Sequence, residues 1–429
     1  MTPLYLPILL SLFTSPVAPG RVAAPADPAD TLAERTEVMV RPLVDAGHLS
    51  GSVLVVRGGE VLLRTSWGFA NRELGVPNGP RSRFCIGAIS AHMTRALVSR
   101  LIETGAIDPE TTIDTWVEDF PEGDKITIAR LRDYEAGIPQ HIFESDERTR
   151  PQTTRDAVEA AKRHELMFEP GSSRFFGFGS YCILAYALEQ ATGRTYGQLI
   201  QDMVFEPAGM TSSGHIEGGK LLPGKTSAYR IGHREILNAR HEDVSYLTGS
   251  SSIWSTPDDL YSFFSAVRNG TLGKAVLEEL DLTTEFHWIG IFTSYRAFVD
   301  YYPEQDLFVA FTSNARTGAI DVLRGAMPQL VAGAALPPAA PPQAKEYIPD
   351  PGSLAELVGA YEIPGNELEM TLVGKDLFLG EWALIPVSED RFYSPMDYAQ
   401  VSVMRDKDGA VEGLTWAIGG RGLPCRKLR

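Results

Sequence analysis

The sequence contains few cysteines, an excess of acidic residues and no long apolar run. Its cysteines, Cys85, Cys182 and Cys425, lie far apart and form no Cys-x-x-Cys pair, so neither a disulfide framework nor a cysteine zinc site is expected. The 39 Lys and Arg residues against 55 Asp and Glu give a net charge of −16, which disfavours binding to nucleic acid or to anionic membranes. The histidines show no metal-ligand spacing. We therefore predict no metal ion, no cofactor and no nucleic-acid partner.

The N-terminus carries an apolar run from Leu4 to Phe13 that is too short to span a bilayer. Small residues and prolines follow it, and Ala24-Pro25-Ala26 fits a signal-peptidase cleavage site before Asp27. These features predict a signal peptide over residues 1–26 and a secreted, periplasmic or cell-envelope protein. The alternative is a hydrophobic or disordered N-terminal tail, because no Lys or Arg occurs among the first twenty residues. No transmembrane helix is predicted elsewhere.

Strands at both ends of the region 27–331 enclose a series of helices, which predicts one α+β domain with an antiparallel sheet. The segments Gly51–Arg57 and Val61–Thr65 are joined by two glycines and read as a hairpin. The predicted later strands are 288–292, 295–301 and 307–312, and the predicted helices are 31–46, 154–164, 181–190, 196–204, 257–268 and 320–331.

The composition and the residue pattern of the chain change after the last of these helices. Residues 332–352 are rich in Ala and Pro and predict a semi-rigid linker. Residues 353–429 contain short alternating segments separated by turns, which predict a small antiparallel β-barrel or sandwich domain.

The stretch Phe84–Thr94 predicts a loop that runs into a helix. Ile89, Met93 and Leu97 recur at four-residue steps and form one helical stripe, and Gly105 is a suitable residue to follow the helix. The free backbone N–H groups at such a helix N-terminus form a site for an anion or an oxyanion.

Several segments in order resemble the serine β-lactamase and penicillin-binding-protein-like family, in the class C branch that includes esterases and D-aminopeptidases. The resembling segments are 51–59, 68–73, 76–78, 84–94, 170–171, 205–210, 254–260, 295–305, 313–314 and 357–361. The resemblance covers about residues 27–429 and implies the two-lobed β-lactamase/transpeptidase-like fold followed by a small β-domain.

The reactive groups of that family are missing at the matching positions. The family's nucleophilic serine and the lysine three residues later fall on Ala88 and Ala91, and no Ser-x-x-Lys occurs anywhere in the chain. The Tyr-x-Asn motif falls on Phe176 and Phe178. The third motif, Lys or His followed by x-Gly, meets Gly290, with His287 one residue out of register.

Three hypotheses follow from this pattern. The first is a catalytically degenerate homologue that keeps a pocket for a small-molecule or peptide ligand, lined by Ala88, Ala91, Phe176, Phe178 and Gly290. The second is an active enzyme with relocated chemistry. Its candidate catalytic residues are Ser90, His92, Tyr134, Glu135 and His287. The third is a structural or partner-binding protein of the cell envelope.

Overall fold

The structure is a computed structural model that describes residues 31–216, 220–233, 235–341, 347–363, 366–380, 382–418 and 421–428. The predicted signal peptide, residues 1–26, lies outside the described residues, as does the middle of the predicted linker, residues 342–346. Within the described ranges, none of the helices combines the length and the apolar character needed to cross a membrane.

The helices of the described residues occur from Leu32 to just before the C-terminal strands. They are α1 (Leu32–Asp45), α2 (Ser90–Glu103), α3 (Ile128–Arg132), α4 (Thr154–Ala161), α5 (Phe178–Thr192), α6 (Tyr196–Ile200), α7 (Glu206–Ala208), α8 (Pro257–Arg268), α9 (Lys274–Leu280), α10 (Ala319–Val331) and α11 (Pro351–Ala355).

Local sequence signals account for the start and end of several helices. Thr31 and Thr153 form capping boxes at the N-termini of α1 and α4, and the Thr256 side chain accepts a hydrogen bond from Asp259 N at the start of α8. Gly105 follows α2 with a φ of +70°, as predicted. The predicted helix 196–204 is correct only to Ile200, after which the chain forms a π-helical segment, Gln201–Phe205.

The strands before the last long helix form several sheets. They are β1 (Gly51–Arg57), β2 (Glu60–Trp67), β3 (Phe69–Asn71), β4 (Val76–Pro77), β5 (Phe84–Cys85), β6 (Gly214–His215), β7 (Tyr229–Ile231), β8 (Ile236–Asn238), β9 (Ile253–Ser255), β10 (Phe286–Phe292), β11 (Tyr295–Tyr302), β12 (Leu307–Ser313) and β13 (Ala315–Arg316).

The main sheet is antiparallel, with the strand order β10-β11-β12-β1-β2. The predicted hairpin and the three predicted later strands are all part of it. A small sheet, β5-β9-β6, delivers the chain to α2, with Phe84 paired to Ser255 and Cys85 paired to Trp254. Aromatic residues of α8 pack on the main sheet: the Phe264 ring lies 4.7 Å from that of Tyr301.

The described residues group into two compact units. One contains the main sheet and the helices from α2 to α9, and spans Gly51–Ser227 and Arg240–Asn314. The other contains α1, the β7–β8 hairpin and the chain from Ala315 onward.

The C-terminal strands form a closed antiparallel barrel, which confirms the predicted small β-barrel. They are β14 (Gly359–Ile363), β15 (Asn366–Val373), β16 (Asp376–Leu379), β17 (Trp382–Ser388), β18 (Arg391–Ser394), β19 (Ala399–Arg405), β20 (Val411–Ile418) and β21 (Arg421–Lys427). Buried apolar side chains such as Leu384, Phe392 and Trp416 fill its interior, and Leu354 of α11 packs into the same core.

Candidate functional site

The turn before α2 lies directly against strand β10. A Cβ atom added to Gly290 would lie 1.8 Å from the Ile86 carbonyl oxygen, and one added to Gly87 would lie 2.4 Å from Ile291 N. Gly87 also has a φ of +52°, a conformation that side chains disfavour. The two glycines therefore allow a backbone contact that no larger residue would permit, and we call it the glycine contact.

Two backbone amides lie at the glycine contact. Ala88 N lies 3.3 Å from the position that a Cβ on Gly290 would take, and Ile291 N is the atom closest to a Cβ on Gly87. Ala88 stands in the turn Gly87–Ile89 that leads into α2, where backbone N–H groups lack helical partners. We call Ala88 N and Ile291 N the amide site. The adjoining Ala88 and Ala91 side chains are methyl groups, so they supply neither a nucleophile nor a base.

His92 packs against an aromatic side chain of β10. Its ring stacks on that of Trp288, with centroids 4.1 Å apart and planes at 16°. Burial, with a smaller contribution from Arg95, lowers the pKa of His92 to about 3. The imidazole is therefore neutral near pH 7 and a weak base.

Trp288 is a site residue that the sequence interpretation missed. It precedes Gly290 by two residues, which is the spacing of the Lys-x-Gly motif, and it is 8% exposed. Residues two apart in a strand lie on the same face, so Trp288 and Gly290 share a face of β10. Counting two residues back from the glycine would have identified it.

The structure places His287 on the opposite face of β10 from Gly290. Its Nδ1 lies 2.8 Å from Asp300 Oδ1 on β11, and its Nε2 lies 3.0 Å from Glu285 Oε1. The pairing of β10 with β11 runs in unbroken register, so no bulge turns His287 toward the glycine contact. His287 is therefore not brought together with Ala88.

Ser90 also turns away from the amide site. Its side chain is fully buried, and its hydroxyl oxygen accepts a hydrogen bond from Ile253 N at 3.2 Å. This bond ties α2 to β9. The hydroxyl has a structural partner, and its direction agrees with the position of Ser90 two residues along the helix from Ala88.

Tyr134 belongs to an aromatic cluster with the residues of the second motif. Its ring stacks on Tyr181 at 4.8 Å and lies 5.0 Å from that of Phe176, which in turn is 5.5 Å from Phe178. Phe178 is the first residue of α5, and Phe176 is 39% exposed. Burial raises the pKa of Tyr134, so its phenol stays protonated at neutral pH.

The loop that carries Tyr134 and Glu135 is fixed through its backbone. Glu135 N donates to Arg130 O at 2.8 Å, and Glu135 O accepts from Gly171 N at 2.8 Å. Tyr134 has a φ of +62°, which is uncommon for a residue with a side chain. The structure thus brings Tyr134, Phe176 and Phe178 together.

Arg95, another residue that the sequence interpretation missed, connects several elements next to this aromatic cluster. It donates to Arg132 O at 3.0 Å, to Asp133 Oδ1 at 3.3 Å and to the Glu279 carboxylate. A weaker contact of 3.4 Å reaches Tyr181 Oη on α5. Helices α2, α5 and α9 and the end of α3 are thereby connected by one mostly buried ion-pair network.

Among the residues that the structure describes, no three His, Cys, Asp or Glu side chains come close enough to hold a metal ion. The three cysteines are buried free thiols. Burial raises the pKa of Cys85 and of Cys182 to about 12, so neither is a reactive thiolate at neutral pH.

The family model named Beta-lactamase matches residues 36–332, and the chain belongs to this family. The putative penicillin-binding protein PbpX of Bacillus subtilis (strain 168) is 27% identical over 223 residues, which are 52% of this chain and 56% of that protein. The D-aminopeptidase of Gluconobacter oxydans (strain 621H) is 25% identical over 222 residues, 50% of this chain and 41% of that protein. The matches thus span about half the length of these relatives.

Solved structures show the same fold. The penicillin-binding protein from Bacillus halodurans aligns with a TM-score of 0.59 and 20% identity, over 68% of this chain and 98% of that one. SurE aligns with a TM-score of 0.60 and 18% identity, over 92% of this chain and 98% of that one. The family membership and the fold expected from the sequence are both confirmed.

Proposed function

We propose that this protein is a catalytically degenerate β-lactamase-like protein that binds a small-molecule or peptide ligand at the amide site. The observation that carries the proposal is the glycine contact beside the unreactive side chains of Ala88 and Ala91. Two backbone N–H groups can hold a carbonyl or carboxylate oxygen without any side chain. The aromatic residues Phe176 and Phe178 favour an apolar group on the ligand.

The chemistry of acyl transfer supports loss of hydrolysis. The family resemblance implies a serine nucleophile with a lysine base, and removing a nucleophile from such a coupled set costs on the order of a millionfold in turnover. The nearby alternatives are poor replacements. His92 has a pKa of about 3, and Ser90 already accepts the Ile253 hydrogen bond.

Turnover assays test the loss of hydrolysis. The purified protein is incubated with nitrocefin, p-nitrophenyl esters and D-alanyl peptides, and we expect no rate above that of buffer. The Ala88→Trp variant, which fills the amide site, and the Ala335→Trp variant, which changes an exposed linker residue, serve as a matched pair. Turnover that disappears in Ala88→Trp and persists in Ala335→Trp would contradict the proposal.

A binding experiment tests the retained pocket separately. N-acetyl-D-alanine provides a carboxylate and an amide carbonyl for the amide site, and its binding can be followed by calorimetry or by NMR. We expect saturable binding that Ala88→Trp abolishes and Ala335→Trp preserves. Equal binding by the two variants would place the ligand elsewhere and would refute a pocket at Ala88.

A second candidate, an enzyme with relocated residues, is favoured by the backbone of Tyr134. Its φ of +62° is the kind of strain that concentrates at functional sites. Glu135 follows it and carries a carboxylate that can serve in acid–base chemistry. Tyr134→Phe and Glu135→Gln test this candidate: activity that either variant removes would support it, and activity that survives both would show that neither Tyr134 nor Glu135 carries the reaction.

Export is a further part of the proposal and rests on the N-terminal apolar run. Mass spectrometry of the protein recovered from the periplasm or the medium would show a chain beginning at Asp27. A retained residue 1 in the mature protein would show that the segment 1–26 is no cleaved signal peptide.

A further inference from the structure

A second cleft lies within the unit that contains the barrel. Its volume is about 420 Å³, within the range of roughly 300–1,000 Å³ that is typical of small-molecule sites. One wall is formed by Pro42 near the end of α1 and by His48, which follows that helix. The β7–β8 hairpin and the outer face of the barrel form the other walls.

The barrel wall of the cleft consists of residues that point outward. Leu384 and Phe392 belong to the barrel core, so their neighbours Ile385 and Tyr393 face the other way. Ile385 and Tyr393 are directly paired across β17 and β18. Although Tyr393 is on the outside of the barrel, it is only 5% exposed, because the elements around the cleft cover it.

The Tyr393 hydroxyl has an unmet hydrogen-bonding capacity. It is covered from solvent, and among the described residues it has no hydrogen-bond partner. Burial raises the pKa of Tyr393, so the phenol keeps its proton and remains a donor. A buried donor without an acceptor is unfavourable, and an acceptor that reaches it restores the missing bond.

The charges around the cleft disfavour an anionic ligand. Burial lowers the pKa of His48 to about 4, so its imidazole is neutral at pH 7, with Nδ1 lying 3.0 Å from Tyr398 Oη. The described lining includes no lysine or arginine, whereas Glu235 contributes a carboxylate. The apolar lining includes Ile231 and Ile385, which suit a hydrocarbon body.

We propose that this cleft binds a small uncharged molecule with an apolar body and a carbonyl oxygen that accepts a hydrogen bond from Tyr393 Oη. The ligand lies between the β7–β8 hairpin and the paired residues Ile385 and Tyr393. The described lining of the cleft contains neither Ala88 nor Ile291, so the cleft is a second binding site in its own right.

Fluorine NMR titration of the full chain tests the proposal with three probes of similar size. They are para-fluoroacetophenone, which has a carbonyl, para-fluorotoluene, which has none, and para-fluorobenzoate, which is an anion. We expect the ketone to bind most tightly and the benzoate most weakly. Tyr393→Phe should weaken ketone binding by about five- to tenfold and leave toluene binding unchanged. The variant should unfold at no lower temperature, since it removes an unpaired buried hydroxyl.

Matched variants locate the binding. Ile385→Trp fills the cleft and should abolish ketone binding, whereas Val387→Trp, on the same strand but outside the cleft lining, should preserve it. Tyr261→Phe is the control for loss of a phenol hydroxyl elsewhere. Equal affinities for ketone and toluene, an unchanged ketone affinity in Tyr393→Phe, or binding that survives Ile385→Trp would each overturn the proposal.

Discussion

The indole of Trp288 lies flat against the imidazole of His92, with ring centroids 4.1 Å apart. This stack joins β10 to α2, and Trp288 itself stands two residues before Gly290, where the family resemblance implies a lysine or a histidine. A cation at residue 288 would favour a negative charge on its neighbours, whereas the indole instead shields His92 from water and disfavours its protonation. An indole in place of a cation at residue 288 thus alters the electrostatics of the site and not only its shape.

Acid stability should depend on His92. Its pKa is about 3 in the folded protein and 6.5 in the unfolded chain, so the unfolded state binds the proton more readily between these values. The neutral histidine contributes stability that is fully present above pH 6.5 and is lost as the pH falls toward 3. In His92→Phe, which keeps a ring against Trp288, the slope of the free energy of unfolding against pH should fall by about 1.4 kcal/mol per pH unit. Urea titrations between pH 3.5 and 7 would measure it, and an identical slope in both proteins would contradict this prediction.

The glycine contact can be tested against a glycine of similar conformation in open space. Gly87 and Gly58 have φ values of +52° and +57°, but a Cβ on Gly58 meets no atom within 4 Å. Alanine should strain both backbones to a similar extent, while only Gly87→Ala also forces β10 away from the turn. We expect Gly87→Ala to lose about 1–3 kcal/mol more than Gly58→Ala in the free energy of unfolding. Equal losses of stability in Gly87→Ala and Gly58→Ala would mean that moving β10 away from the turn requires no free energy.

Restoring the serine and lysine of the first motif should restore covalent chemistry. In Ala88→Ser/Ala91→Lys, the amine lies one helical turn from the hydroxyl and can take its proton. Labelling by a fluorescent penicillin should then proceed about a hundredfold or more faster than in Ala88→Ser alone. Gel fluorescence and intact mass measure the adduct. An adduct formed equally fast by both variants would show that a base is already present near residue 88, and the absence of an adduct in both would contradict the prediction.

The Arg95 network should contribute far more to stability than a surface ion pair. Arg95→Ala leaves Asp133 and Glu279 without one of their cations in a mostly buried setting, and we expect a loss of about 3 kcal/mol in the free energy of unfolding. The control is Lys274→Ala, which breaks an exposed pair with Glu278 on α9 and should cost less than about 0.5 kcal/mol. Chemical denaturation measures both, and similar losses would show that the buried network is not a special source of stability.

The sequence predicted elements that carry their own local signals. The β1–β2 hairpin has its two glycines and α8 has its threonine cap, and both were correctly anticipated. Helix α9 was missed, because its seven residues carry no side-chain cap and Gly273 precedes them with a φ of +101°. Short strands such as β5 form only because distant segments pair with them.

The site was harder to predict than the fold. Period-two alternation in a strand decides which of two neighbours faces a pocket, and a shift of one residue reverses the answer. His287 was chosen as a candidate for its chemistry, yet the strand register turns Trp288 toward the site. Ser90 bonds to Ile253, 163 residues away in the chain, and Arg95 pairs with Glu279, 184 residues away, so both contacts are beyond the reach of any local pattern.

The glycine contact also affects which residues of this protein can change during evolution. Gly87 and Gly290 are held by steric exclusion, since any side chain there would collide with the backbone opposite. A serine or a lysine beside them is held only by selection for turnover. The two kinds of residue can therefore change at different rates within one lineage. A descendant that no longer needs the reaction will keep the glycines and lose the serine and the lysine. The glycines therefore indicate common ancestry and do not indicate activity.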